Sequence, residues 1–316
     1  QYVNSLLKGH VNNTDHVVLY GQNIDAGSCL GGLTRGLSTP SNSATILNTP
    51  NSENCLVGVG FGLMMNDVPS IFFMKQLDFL LLGIDQIVNT YNIMRQSTPS
   101  ASFTIFPITM DSGYEGPQAS LNNLDDFCSI AGVEGYSLTN KIDAKEVLAK
   151  YLTKPGFRII SVGQRLLQQD MLDIPCVAQD ENANYFQYMN GNDATIVCFN
   201  NALQYGYELY SIMQDRGLMA SLFSVNAHLY KDYSLILADI GKTSNLILID
   251  DTKSRNRLSD QFLIEVLNRH RLKNQIVVTR PISDDIFEPR KDLLDIDYDK
   301  IINNILNNSH LEKNLK

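Results

Sequence analysis

Several things are scarce in this sequence, and each scarcity closes off a class of function. The five cysteines (Cys29, Cys55, Cys128, Cys176 and Cys198) show no CxxC spacing and are odd in number. That argues against a disulfide framework or a zinc site and leaves them as small buried hydrophobes. No apolar run reaches membrane-spanning length; the nearest, Phe72 to Val88, carries Lys75, Asp78 and Asp85. Gln1 to Gly9 has neither the basic start nor the apolar run of a signal peptide. Repeats, blocks of like charge and basic aromatic patches are missing, and the formal net charge is −9. Neither nucleic acid nor a membrane is therefore expected as a partner, and the cytoplasm is the expected location.

What is present suits a globular chain of two domains: 316 residues, 44% hydrophobic and 19% charged. Short β-branched and aromatic runs alternate with helical periods, the pattern of an α/β fold. Strands are expected at His16–Gly21, Ser70–Met74, Ala101–Ile108, Gly135–Thr139 and Phe157–Val162, with Pro107 ending its strand or placing it at a sheet edge. A helix is expected over Asp143–Leu152. The glycine-containing polar run from Met110 to Leu124 reads as an active-site loop. Residues 1–170 are assigned to a doubly wound first domain and 171–190 to a linker, since Gln164–Gly191 is irregular and rich in Asn. A smaller α/β domain takes 191–316. Its strands are read at Ala194–Phe199, Ala220–Val225, Asn245–Asp250 and Gln275–Thr279. Its helices are read at Ala202–Arg216, Tyr233–Gly241, Leu258–Arg269 and Tyr298–Leu306.

The most informative stretch is Ile46 to Asn89. An apolar β-prone run ends at Asn48-Thr49-Pro50, and Ser52 is placed as the N-cap of a helix that opens with Glu53 and carries Gly58, Gly60 and Gly62. Asp78 to Arg95 reads as a long apolar-faced helix. A carboxylate at the head of a helix is favoured as an anion by the helix dipole, whereas a dry surrounding favours the neutral acid. Such opposed influences can poise an acid/base group. A first-turn Glu favoured by the dipole alone remains the plain alternative. The three glycines lack G-x-G-x-x-G spacing, so they are read as close-packing residues, across a subunit interface, rather than a dinucleotide loop.

Three pieces at matching spacing carry a resemblance: Asn48-Thr49-Pro50-x-Ser52-Glu53, Gly58-x-Gly60, and Ile84-Asp85-Gln86-Ile87-Val88-Asn89, with Leu33-Thr34-Arg35-Gly36-Leu37 upstream. Together they resemble the β chain of the thiamine-diphosphate-dependent component of 2-oxoacid dehydrogenase complexes, which shares its domains with transketolase. The resemblance implies a pyrimidine-binding α/β domain followed by a transketolase C-terminal-type domain that mainly builds the subunit interface. It implies that the Glu53 carboxylate hydrogen-bonds the aminopyrimidine of thiamine diphosphate and so promotes loss of the thiazolium proton, and that Phe79 packs on that ring. For Phe79 an ordinary core position is the alternative. Asp85 and Gln86 are read as structural, joining helices through hydrogen bonds.

Departures from the family pattern are equally specific. Gln22 and Asn23 stand where an acidic pair is usual, and Lys75 and Leu82 differ from the residues expected near the pyrimidine. Ala119 replaces the histidine linked to lipoyl transfer, which puts a lipoyl acceptor in doubt. His228 matches a surface-type position, and Lys253–Arg257 (KSRNR) replaces a glycine-rich loop. The Gly-Asp-Gly signature for Mg²⁺ and diphosphate is missing, so an α-type subunit is expected to bind Mg²⁺, in an assembly of two α and two β chains. The expected activity is cleavage of a C–C bond beside a carbonyl of a 2-oxo substrate, with transfer of the fragment, a lipoyl acyltransferase being one further partner. A split transketolase passing a ketol or acyl unit to a carbonyl or sugar, and a non-catalytic binding or regulatory subunit, stay open as alternatives.

Overall fold

Continuous apolar runs make strands buried on both faces, as parallel sheets covered by helices require. The computed structural model describes residues 1–40, 42–111, 122–229, 231–280 and 293–313. After helix α1 (Tyr2–Asn12), the first sheet is built from β1 (Val18–Gly21), β2 (Thr45–Asn48), β3 (Ser70–Met74), β4 (Ser102–Thr109), β5 (Glu134–Leu138) and β6 (Gly156–Gly163). All its pairings are parallel and its order is β2-β1-β3-β4-β6-β5. Every residue of β3 and β4 is buried.

Helix α2 (Glu53–Met65) joins β2 to β3. Its Gly60 is required by packing: a Cβ there would lie 2.2 Å from the Phe103 ring and 2.5 Å from the Tyr20 hydroxyl. Gly58 faces the Gln86 side chain, and Gly62 has nothing within 4 Å. Gly58 and Gly60 therefore make close contacts inside the chain. The single helix expected over 78–95 is instead a 3₁₀ run (Leu77–Gly83), a π turn (Gln86–Thr90) and the short α3 (Tyr91–Met94). Gly83, which closes the 3₁₀ run, sits so close to α2 that a Cβ would fall 2.8 Å from Val57. Asp85 is exposed and receives a hydrogen bond from Asn89, 2.6 Å. Gln86 is the member of the pair that turns to α2, donating weakly to Asn54 at 3.5 Å.

Pro107 neither ends β4 nor lies at an edge. It pairs with Met74 in the middle of the sheet, and the β4–β6 register omits Phe106 and Pro107 before resuming at Ile108. A missing N–H thus costs a gap in one ladder rather than the strand. Helices α4 (Leu124–Ala131), α5 (Lys141–Tyr151) and the short α6 (Gln164–Gln168) complete this half. Helix α5 opens with a capping box in which Asn140 accepts from the N–H of Ile142 and Asp143, and Asp143 accepts from the N–H of Asn140. Burial pushes the Asp143 carboxyl upward, and bonds from Thr139 and Asn140 oppose that.

The second sheet holds β7 (Ala178–Gln179), β8 (Tyr185–Met189), β9 (Ala194–Phe199), β10 (Ala220–Val225), β11 (Asn245–Asp250) and β12 (Asn274–Thr279), in the order β12-β11-β9-β10-β8-β7. The stretch 171–190, read as a linker, contains β7 and β8; both pair antiparallel and extend this sheet. Flanking Asn and Gln residues hid a strand whose first four residues are buried. Helices α7 (Leu203–Asp215), α8 (Ser234–Thr243), α9 (Leu258–Arg269) and α10 (Tyr298–Lys313) complete the described chain. None of its helices is long and apolar enough to cross a membrane.

The sheets are clasped together. Edge strand β5 is covered by residues 226–228: Ser137 N–H donates to the Asn226 carbonyl, and His228 N–H donates to the Gly135 carbonyl, both at 2.9 Å. His228, read as a surface position, is 4% exposed. Its Nε2 lies 2.7 Å from Ser137 Oγ and its Nδ1 2.6 Å from Asp125 Oδ1. The spacing is that of a Ser-His-Asp relay, but all three residues are closed off from solvent, so here it joins the halves. Nearby, Arg165 bridges Asp111 at 3.1 Å and Asp251 at 3.5 Å. The KSRNR segment folds back on α4: Ser254 Oγ donates to Asp126 at 2.5 Å and Asn256 Nδ2 donates to Ser129 at 2.9 Å.

Candidate active site

In the first sheet the chain goes from β1 to β2 on one side, then returns to place β3 on the other side of β1. Outside the carboxyl ends of β1 and β3 the connections part, and open α/β sheets bind ligands in that crevice. A narrow cleft lies there, lined by Gln22 after β1, Asn51 and Glu53 at the head of α2, Phe72 and Lys75 at the end of β3, and Phe79 of the 3₁₀ run. The sequence-assigned Glu53 and Phe79 are thus brought into one site, together with two of the departures, Gln22 and Lys75. Leu82 is 55% exposed and outside the lining, and Ala119 lies outside the described residues.

The walls are fixed by local contacts. Gly21 ends β1 with φ +146°, and a Cβ on it would stand 2.2 Å from the Phe73 carbonyl oxygen, so β1 approaches β3 as only glycine allows. The Thr49 N–H donates to the Gly21 carbonyl at 3.0 Å, and the Asn48 side chain accepts from the Asp25 N–H at 3.0 Å. These bonds hold the turn that delivers the chain to α2. Tyr20 stacks on Phe72 with ring centroids 5.1 Å apart and donates its hydroxyl to the Leu56 carbonyl at 2.9 Å. Burial raises the Tyr20 phenol well above its ordinary range, so it stays a donor. Ser52 occupies the expected N-cap position, but its side chain makes no capping bond. The first-turn N–H groups of α2 therefore keep their polarity for the cleft.

Glu53 is 9% exposed and has no hydrogen-bond or ion-pair partner among the described residues. A carboxylate on so enclosed a residue that opens onto a cleft can accept a hydrogen bond from a group entering there. Half-buried Phe79 packs against the core cluster that includes Phe72, Met74, Leu77 and Leu80 and presents its ring to the same cleft. An aromatic face, a buried acceptor and the amides of Gln22 and Asn51 suit a flat nitrogen heterocycle. The donor set fits the aminopyrimidine half of thiamine diphosphate. Among the described residues there is no group of three or more His, Cys, Asp or Glu side chains able to hold a metal ion.

Comparisons with known proteins agree with this geometry. No family model matches the chain. It is 18% identical over 298 residues to the pyruvate dehydrogenase E1 component subunit beta of Staphylococcus epidermidis, covering 92% of this chain and 90% of that protein. The Staphylococcus aureus protein of the same description is 19% identical over the same shares. In fold, the chain is similar to a split-gene transketolase solved as an inactive β4 tetramer (TM-score 0.67, 13% identity, 98% of this chain and 97% of that one). It is also similar to transketolase from Campylobacter jejuni (TM-score 0.68, 9% identity), covering 96% of this chain but 44% of the longer one.

Proposed function

Starting from a chain of the thiamine-diphosphate-dependent, transketolase-like family, we propose that it is the β-type subunit of a two-subunit enzyme that cleaves a C–C bond beside the carbonyl of a 2-oxo substrate. The observation that carries this reading is Glu53, 9% exposed, its side chain on the cleft at the switch point of the first sheet with no partner among the described residues. Its role is to accept a hydrogen bond from a ring nitrogen of the aminopyrimidine and to hold the proton shared there. Phe79 packs on the ring face, and Leu56 and Phe72 keep water from the Glu53 side. When bound, thiamine diphosphate supplies the electron sink that lets a bond next to a carbonyl break.

Its diphosphate and Mg²⁺ belong, in this proposal, to an α-type chain that closes the cleft, in an assembly of two α and two β chains in the cytoplasm. In this proposal the chain divides into a pyrimidine-binding domain, a short connection ending before β7 and a C-terminal domain. A lipoyl acyltransferase is one acceptor of the fragment. A second reading, a split transketolase delivering to a carbonyl or sugar, is supported by the near-complete overlap in fold with a split-gene transketolase. A purely regulatory subunit would have no use for a buried carboxylate left without a partner.

The test is reconstitution with the α-type chain, followed by measurement of 2-oxo-acid consumption with an artificial electron acceptor and with aldehyde acceptors. Turnover that requires added thiamine diphosphate is expected. A complex that neither binds the cofactor nor turns over with any acceptor contradicts the proposal.

A further inference from the structure

Glycine is a poor choice inside a helical segment, and Gly83 stands inside one. Its φ lies outside the left-handed region, so backbone conformation does not require it. Packing does. A Cβ at this position would fall 2.8 Å from Val57 Cγ2 and 3.4 Å from the Glu53 carbonyl oxygen. Ordinary contact begins at 3.4 Å, which leaves a methyl group about 0.6 Å too close to Val57. Val57 cannot turn away, because it is fully buried and a β-branched side chain on a helix keeps one preferred rotamer.

The two elements that meet here are two walls of the cleft. Glu53 opens α2, and the 3₁₀ run that Gly83 closes carries Phe79. Just beyond, the Gln86 side chain lies 3.5 Å from where a Cβ on Gly58 would stand and donates weakly to Asn54. The segment 83–86 is thus laid along the first two turns of α2. The other end of the run is pinned by Leu77 and Leu80, both fully buried in the core. A push at Gly83 tilts the run about those anchors and moves Phe79 relative to Glu53.

We propose that Gly83 is a positioning residue, which sets the Glu53 carboxylate and the Phe79 ring at the separation one planar heterocycle needs to meet both. This rests on the reading of the cleft as the pyrimidine half of a thiamine diphosphate site. It adds to that reading the residue that gauges the slot. A flat ring is sensitive to such a gauge because its two contacts differ in direction: the carboxylate bonds its edge and Phe79 covers its face. A gap of about 0.5–1 Å forfeits a quarter to a half of a van der Waals contact, and a misplacement of about 1 Å can cost about 10²-fold in rate.

The experiment uses the reconstituted complex with wild-type, Gly83→Ala, Gly83→Ala/Val57→Ala and Val57→Ile chains. Gly206→Ala is the control, since its methyl group would meet Cys198 and Leu222 in the second sheet rather than at the cleft. Thiamine diphosphate with Mg²⁺ is titrated by calorimetry, deuterium exchange at the thiazolium carbon is followed at saturation, and urea unfolding reads stability. Gly83→Ala should weaken cofactor binding about tenfold and slow exchange about tenfold, and trimming Val57 in the double variant should recover most of both. Val57→Ile crowds the same contact from the α2 side and should act in the same direction, about threefold. It carries the test should Gly83→Ala fail to assemble. Gly206→Ala should lower the urea midpoint and move neither binding nor exchange. Three results overturn the assignment. They are binding and exchange within about twofold of wild type in the crowded variants that assemble, a loss that Val57→Ala does not recover, or the same loss in Gly206→Ala. A wild-type complex that fails to bind thiamine diphosphate overturns the underlying reading and this inference with it. One that binds it while the crowded variants are silent overturns this inference alone.

Discussion

Replacing Glu53 with Gln should leave the protein about as stable and the enzyme nearly dead. In the free chain Glu53 is 9% exposed and makes no hydrogen bond or ion pair among the described residues, and its side chain opens onto the cleft, where water can satisfy it. The isosteric neutral amide removes no protein contact, so a change in stability within about 0.5 kcal/mol is expected. Function changes far more. Loss of one charge-assisted hydrogen bond, worth about 1.5–3 kcal/mol, should weaken cofactor binding by the complex about 10- to 100-fold. Loss of the positioned proton acceptor should slow deuterium exchange at the thiazolium carbon by about 10²- to 10⁴-fold. Quenched-flow NMR of the saturated complex reads that exchange, and thermal unfolding of the chain reads the stability. Exchange within about threefold of wild type would refute the catalytic assignment. A variant destabilised by more than about 1 kcal/mol would show that the carboxylate holds up the fold instead.

Other expectations concern the scaffold. Gly60→Ala forces a methyl group into Phe103 and the Tyr20 hydroxyl, and should cost about 1–3 kcal/mol in urea unfolding. Arg165→Met strands Asp111 and Asp251 at the junction of the two halves; about 3–5 kcal/mol should be lost, while the conservative double replacement of both partners loses less. Burial, with Asp125 and Asp251 close by, pushes the Asp250 carboxyl up to about 7. An acid raised in the folded state contributes stability that is complete below its unfolded value near 4 and lost as pH rises toward 7. Urea midpoints should therefore fall across that window, and the fall should be smaller in Asp250→Asn.

Much of the architecture was legible because buried parallel strands are written as apolar runs between turn signals. Ser70–Met74, Ala194–Phe199, Ala220–Val225 and Asn245–Asp250 are strands at the bounds their sequence suggests. Helix α1 is marked in the sequence only by the four-residue rhythm of its buried Val3, Leu7 and Val11. Asp78–Arg95 reads as one helix because apolar periodicity survives in it. Its division into a 3₁₀ run, a π turn and α3 accompanies packing of Gly83 on α2, a long-range contact that no local pattern encodes.

The site was legible in part for the same reason. Glu53 follows a strand, a Thr49-Pro50 turn and an N-cap position, all local signals, so its place at a helix head could be read directly. That Gln22, Lys75 and Phe79 join it depends on β3 crossing over to pair with β1, a long-range fact. His228 reads as a surface residue for a similar reason. Its partners, Ser137 and Asp125, lie 91 and 103 residues away, and only their convergence makes burial of an imidazole affordable.

The central claim is that this chain holds half of a cofactor site. Calorimetric titration of thiamine diphosphate with Mg²⁺ into the chain alone, into the α-type chain alone and into the two together tests it most directly. The account predicts no measurable heat of binding for the isolated chain and tight binding for the pair, abolished or greatly weakened by Glu53→Gln. Tight binding by the isolated chain, or binding by the pair that ignores residue 53, would contradict it.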